Sequence, residues 1–93
     1  MPYYTYIVEC ADTSLYTGCT NNLSLRLSQH NNSKKGARYT KIRRPVVLKH
    51  VEIFKTLFPA RHREAEIKRL TREEKLKLIT NASPTDLSQY YQL

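Results

Sequence analysis

Residues 13–51 contain no Asp or Glu. That interval nevertheless holds eight of the sixteen Lys and Arg: Arg26, Lys34, Lys35, Arg38, Lys41, Arg43, Arg44 and Lys49. The rest of the chain carries eight basic and eight acidic residues, so the whole excess of +8 sits in one block. A merely solubilising face mixes the two signs. An acid-free block of this size binds polyanions, of which nucleic acid is the commonest in the cytosol. No apolar run is long enough to span a bilayer, so no membrane association is expected. The first ten residues, MPYYTYIVEC, lack the basic start and long apolar stretch of an export signal. A cytoplasmic location is therefore expected. Only two cysteines occur, Cys10 and Cys19. Without an export signal they read as reduced and structural. Repeats, low-complexity tracts and linkers are absent too. At 93 residues, 40% hydrophobic and 26% charged, the chain reads as one domain, 1–93, large enough to bury a small core without staples.

Against these absences stand seven tyrosines and several clear periodicities. Residues 3–10 (YYTYIVEC) alternate like a strand, with Tyr4, Tyr6, Val8 and Cys10 on one face and Tyr3, Thr5, Ile7 and Glu9 on the other. ADTS makes a turn, and residues 15–19 return as its hairpin partner. Gly18 then predicts a tight turn, because glycine reaches backbone conformations that other residues avoid. Thr20 or Asn21 is expected to cap a helix over 22–32. On that helix Leu23, Arg26, Leu27 and His30 share one face, while Leu25 lies off it. Residues 31–44 predict a basic loop containing Gly36, with a helical turn around 37–40. Pro45 opens a strand over 46–54 (VVLKHVEIF). Pro59 begins a helix over 59–70, with Ala60, Glu64, Ile67 and Leu70 inward. Thr71 and Glu74 predict a capping box for a helix over 72–80, with Leu76 and Ile79 inward. Ser83, Pro84, Thr85 and Asp86 signal the start of a short last helix carrying Leu87, Tyr90 and Tyr91. The order ββαβααα predicts an α+β fold, a small antiparallel three-stranded sheet flanked by helices.

Two inward helix faces carry charge or a titratable ring: Arg26 and His30 on the first, Glu64 on the second. Singly, each has an ordinary explanation. Tyr6 and Tyr16 could be core tyrosines, His30 a satisfied helix-face histidine, and Glu64 an ion-pair partner for Arg26. His50 and His62 read as ordinary strand and helix-surface residues. Jointly, the ordered set resembles the GIY-YIG endonuclease superfamily. It comprises Tyr4-Thr5-Tyr6, Tyr16-Thr17-Gly18 ten residues later, Arg26, His30 and Glu64. Within it, ECADTSLYTGCT, GARYT and EIKRLTREEKLKLI are similar to the small stand-alone bacterial branch.

The resemblance implies a metal-dependent phosphodiesterase. Tyr6 and Tyr16 take the two tyrosine positions, Arg26 the helix arginine, and His30 a position held by His or Tyr. Glu64 takes the place of the metal ligand, and Tyr39 that of a further loop His or Tyr. Tyr4 and Thr5 stand where the family name has Gly and Ile. Cys19 stands where some members place a Lys. The chemistry suits these residue types. Phosphodiester hydrolysis needs an activated water and stabilisation of a highly charged phosphorane-like state. One carboxylate suits a single Mg²⁺ or Mn²⁺ that keeps several waters, and Arg26 offers a fork of donors to the phosphate. Either Tyr6 or Tyr16 could be the general base, with His30 taking the proton. The expected substrate is DNA, with RNA as a second candidate, gripped by Lys34, Lys35, Arg38, Tyr39, Lys41, Arg43 and Arg44. The alternative is a nucleic-acid-binding module that keeps the scaffold and does not cut.

Overall fold

A computed structural model describes residues 1–32, 35, 37–82 and 87–91. Lys34, Gly36 and the capping sequence Ser83, Pro84, Thr85 and Asp86 lie outside the described residues. Strands β1 (Tyr3–Glu9) and β2 (Leu15–Thr20) form the hairpin, followed by helix α1 (Leu23–Asn32) and a single turn, α2 (Arg38–Lys41). Strand β3 (Val47–Phe54), helices α3 (Leu57–Arg69) and α4 (Arg72–Asn81), and a 3₁₀ turn (Leu87–Tyr91) complete the order. The sheet is β2-β1-β3, antiparallel throughout, so the fold is the α+β arrangement read from the sequence.

Because β1 is central, helices cover both its faces, and Thr5, Tyr6, Ile7 and Val8 are buried in succession. Register assigns them alternately. Tyr6 stands opposite Gly18 and Val51, and Val8 opposite Tyr16 and Leu48. Tyr6 and Val8 pack with Cys10, Leu23, Leu27, Val46, Leu48 and Tyr90 into the main core. Removing Leu23 and Leu27 from water contributes about 1.5–3 kcal/mol each. Thr5 and Ile7 take the opposite face, where α3 lies. There the Thr5 hydroxyl donates to the Ala60 carbonyl at 2.7 Å, and Ala60 and Ile67 are fully buried.

Several local expectations change. Gly18 does not turn the chain: it lies inside β2, and no described glycine has a positive φ. Its reason is space, since a Cβ there would sit 2.4 Å from the Tyr6 hydroxyl oxygen and 2.6 Å from Cζ. The cap of α1 is Asn22 itself rather than Thr20 or Asn21. Its Oδ1 accepts from the Leu25 amide at 3.1 Å, while Thr20 Oγ1 accepts from the Asn22 amide. Helix α3 starts two residues before Pro59. The Thr71–Glu74 capping box forms in both directions. Leu76, expected inward on α4, is 39% exposed, and this helix has no buried residue. Cys10 and Cys19 are free thiols.

The basic segment after α1 is strapped to the core. The Arg44 guanidinium donates to the carbonyls of Gln29 and His30 at the C-terminus of α1, where a cation is favoured. The Asn31 amide bonds both the N–H and the C=O of Val46. Arg43 pairs with Asp12 of the hairpin turn at 3.1 Å and donates to the Tyr39 carbonyl.

Candidate active site

Gly18 is where the site begins. Lacking a side chain, it lets the Tyr6 ring of the central strand lie over the edge strand β2, its hydroxyl against the glycine. From the other side α1 presents His30 one turn after Leu27, as the helical spacing requires. The Tyr6 hydroxyl and His30 Nε2 are 2.8 Å apart, in a buried contact. The second ring nitrogen, Nδ1, lies 2.8 Å from the Thr40 hydroxyl on α2. Thr40 in turn donates to the Ala37 carbonyl at 2.9 Å. Tyr6, His30 and Thr40 are all essentially without solvent exposure.

Tyr16 meets the same imidazole edge-on, ring centroids 5.4 Å apart. Its outer face stacks on Tyr39 at 5.8 Å, and the Arg43 guanidinium lies 3.9 Å over the Tyr39 ring. Arg26, half-buried, is anchored through Nη1 to Gln29 Oε1 at 3.0 Å and to the Lys35 carbonyl at 2.8 Å. Anchoring one nitrogen orients the rest of the fork, and the Arg26 charge lies near enough to favour the ionised form of the Tyr6 hydroxyl. Glu64 extends from α3, its side chain only 13% exposed. Its carboxylate pairs with Lys68 at 3.1 Å and Arg61 at 3.8 Å, both on its own helix. The Arg26–Glu64 ion pair that would have explained both residues structurally is therefore not what the structure holds.

Burial dominates the proton affinities. It pushes the Tyr6 phenol well above its ordinary range, with Tyr16 and Glu64 adding to the rise and Arg26 opposing it. His30 moves the other way: burial first, then the Arg26 and Arg44 guanidinium groups, hold its imidazole down to about 4. At neutral pH the free protein thus has a protonated tyrosine facing a neutral histidine. Glu64 reaches Tyr6 and Cys19 electrostatically, which puts its charge at the β2 edge beside the site.

Among the described residues no cluster of three or more His, Cys, Asp or Glu could hold a metal. One shielded carboxylate is nonetheless a hard oxygen donor, and it suits a cation that retains waters and accepts substrate phosphate as a further ligand. The residues fit one such ion and do not fit a two-metal centre.

The predicted nucleic-acid residues divide. Arg38 and Lys41 are exposed on α2, Lys35 is exposed beside it, and Tyr39 is 38% exposed. Arg43 and Arg44 spend their guanidinium groups on Asp12, Tyr39 and the α1 carbonyls. Lys34 lies outside the described residues. Two contributors escaped the sequence reading. Thr40 could have been noticed as a hydroxyl three residues after an acceptor carbonyl, a recurrent local bond. The role of Thr5, which grips α3 one turn ahead of Glu64, leaves no local signal.

Residues 2–77 match the GIY-YIG catalytic domain. A UPF0213 protein of Syntrophus aciditrophicus is 54% identical over 76 residues, covering 82% of this chain and 87% of its own length. One from Clostridium perfringens is 51% identical over 80 residues, covering 86% and 85%. The solution NMR structure of a UPF0213 protein from Bacillus halodurans superposes with a TM-score of 0.59 at 35% identity, over 99% of this chain and 95% of the other. A solution NMR structure of an E. faecalis protein gives 0.59 at 39% identity, over 91% and 93%. With tyrosines, arginine, histidine and glutamate standing on the matched elements, the chain belongs to the GIY-YIG family, a nuclease superfamily whose substrates are nucleic acids and whose members generally use divalent metal ions.

Proposed function

We propose that this protein, acting as one domain over 1–93, is an endonuclease that hydrolyses phosphodiester bonds in DNA with the help of one Mg²⁺ or Mn²⁺. The observation that carries the reading is the buried line Tyr6–His30–Thr40 beside the anchored Arg26. A structural tyrosine needs one partner for its hydroxyl. Here the partner is an imidazole kept neutral, which is the form able to accept a proton.

Arg26 binds the scissile phosphate through the edge of its fork that its anchors leave, and it stabilises the charge that develops on the phosphoryl oxygens. Tyr6 orients the attacking water and takes its proton, passing its own to His30 Nε2. Tyr16 and Tyr39 wall the imidazole and limit the access of bulk water. Glu64 would hold the cation, which when bound supplies Lewis-acid polarisation of the phosphate and eases departure of the leaving oxygen. Exposed Arg38, Lys41 and Lys35 contact flanking phosphates. Contacts of this kind position a duplex without reading its sequence. The substrate is accordingly chosen by shape, as in branched, nicked or damaged DNA, and the setting is DNA repair in the cytoplasm.

The test is metal-dependent nicking of supercoiled plasmid and of branched oligonucleotides. Wild type should cut. Arg26→Ala and Glu64→Gln should bind DNA, melt near wild type and fail to cut. Wild-type binding without cutting would show a binding module, and normal cutting by Glu64→Gln would show the metal ligand to be wrongly placed.

A further inference from the structure

We infer that Thr40 fixes the tautomer of His30, placing its resting proton on Nδ1 and leaving Nε2 bare for Tyr6, so that Tyr6 rather than Tyr16 is the hydroxyl wired to the imidazole. The purpose of this arrangement rests on the nuclease reading above; the tautomer itself is a property of the free protein.

Hydrogen positions follow from the network, and here its Thr40 end decides them. At one end, Thr40 has a single hydroxyl hydrogen. The Ala37 carbonyl, 2.9 Å away, can only accept, so it takes that hydrogen. The Thr40 oxygen is then an acceptor toward His30, and Nδ1 at 2.8 Å must carry the N–H. At the other end, the Tyr6 hydroxyl oxygen lies within bonding distance of His30 Nε2. If Nε2 donated to that oxygen, Nδ1 would have no hydrogen for Thr40 and the buried Tyr6 hydrogen would face a donor. With Nε2 bare, the Tyr6 hydroxyl donates to it at 2.8 Å. Every group is then satisfied once. The choice between the two tautomers is set by the bond that the far nitrogen makes.

This makes Thr40 a positioning residue: it touches neither water nor phosphate and acts through His30. It also joins the base to the binding surface. Thr40 is the buried residue of the four-residue turn α2, whose exposed residues include Arg38 and Lys41. A polyanion gripping those side chains holds the same turn that orients the imidazole.

The experiment is ring-nitrogen NMR of the free protein with isotope-labelled histidine, read alongside cleavage. In wild type and in Thr40→Ser, His30 should show a protonated Nδ1 and a bare, hydrogen-bonded Nε2. In Thr40→Val, which keeps the shape and loses the acceptor, the Nε2–H form should become several-fold more populated. Cleavage by Thr40→Val should fall about tenfold or more at unchanged DNA affinity, with Thr40→Ser restoring it. A wild-type His30 protonated on Nε2 would overturn the inference without any variant having to fold. So would a Thr40→Val ring unchanged from wild type, whatever happens to cleavage. If the rings behave as expected while wild type cuts no DNA, the tautomer assignment stands and the nuclease reading falls.

Discussion

Acid should weaken this protein well before its carboxylates titrate, and His30 is the reason. In the unfolded chain the imidazole titrates near 6.5; in the folded chain burial and two guanidinium groups hold it at about 4. The depressed group is a base, so the sign is fixed. Between those values the unfolded state binds a proton that the folded state refuses, and stability falls as pH falls. The imidazole is fully shielded from solvent. The loss reaches about 2 kcal/mol between pH 7 and pH 5 and about 3 kcal/mol once the pH is well below 4. With a urea slope of about 1 kcal/mol per molar for a chain this small, the midpoint should drop by about 2 M from pH 7 to pH 5. His30→Gln offers Tyr6 an amide oxygen and does not titrate, so its midpoint should stay level across that range. His50 and His62 are common to both proteins and cancel in the comparison. Asp12, Glu52 and Glu74 are held below the usual carboxylate range by Ser14, by Arg63 and His50, and by Thr71 respectively, so their contribution is lost only at lower pH. An equal drop in both proteins, or a level wild type, would refute the placement of a neutral buried imidazole.

Other outcomes follow from single contacts. Gly18→Ala must drive the Tyr6 ring from its place, which should cost about 1–3 kcal/mol in thermal melting and break the bond to His30; a wild-type melting temperature with full cleavage would show the ring to be free to move. Thr17 buries an Oγ1 with no partner among the described residues. Thr17→Val, which has the same shape, should therefore stabilise by about 1 kcal/mol or more, read by denaturant titration. DNA affinity should fall by orders of magnitude over a few-fold rise in salt, and Arg38→Ala with Lys41→Ala should flatten that slope. Arg44→Ala should instead lower the melting temperature, because its guanidinium holds the end of α1.

What could be read from the sequence was whatever depends on neighbours along the chain. The strand alternation, the inward stripe of α1 with Leu25 left outside, and the Thr71–Glu74 box all follow from local periodicity or capping chemistry, and they stand in the structure. What escaped depends on neighbours across it. Gly18 suggests a turn until β1 is known to lie beside it, when the glycine is needed to admit the Tyr6 ring. Charge counting treats Arg38, Arg43 and Arg44 alike, yet one is exposed, one clasps the hairpin, and one caps a helix. Leu76 belongs to an inward stripe only if something covers α4, and little does. Within the site, residue types announced themselves by their unsuitability for a core. Thr40 did not, because a buried threonine with a local bond offends no rule.

The electrostatics explain why such a site would be quiet without its substrate. Moving a proton from Tyr6 to His30 creates a phenolate and an imidazolium in a place that penalises both charges. Arg26 does not resolve this, because it stabilises the phenolate and destabilises the imidazolium together. Glu64 does not resolve it either, since its own charge disfavours the phenolate. Each objection is met by a component the free protein lacks. A phosphate bound by Arg26 would offset the positive charge that suppresses His30, and a cation held by Glu64 would reverse the sign of the charge facing Tyr6. Neither suffices alone, because each removes one of two opposing effects. In the nuclease proposed above, the base would be assembled by substrate and metal together, which would confine cutting to nucleic acid already seated on the basic surface.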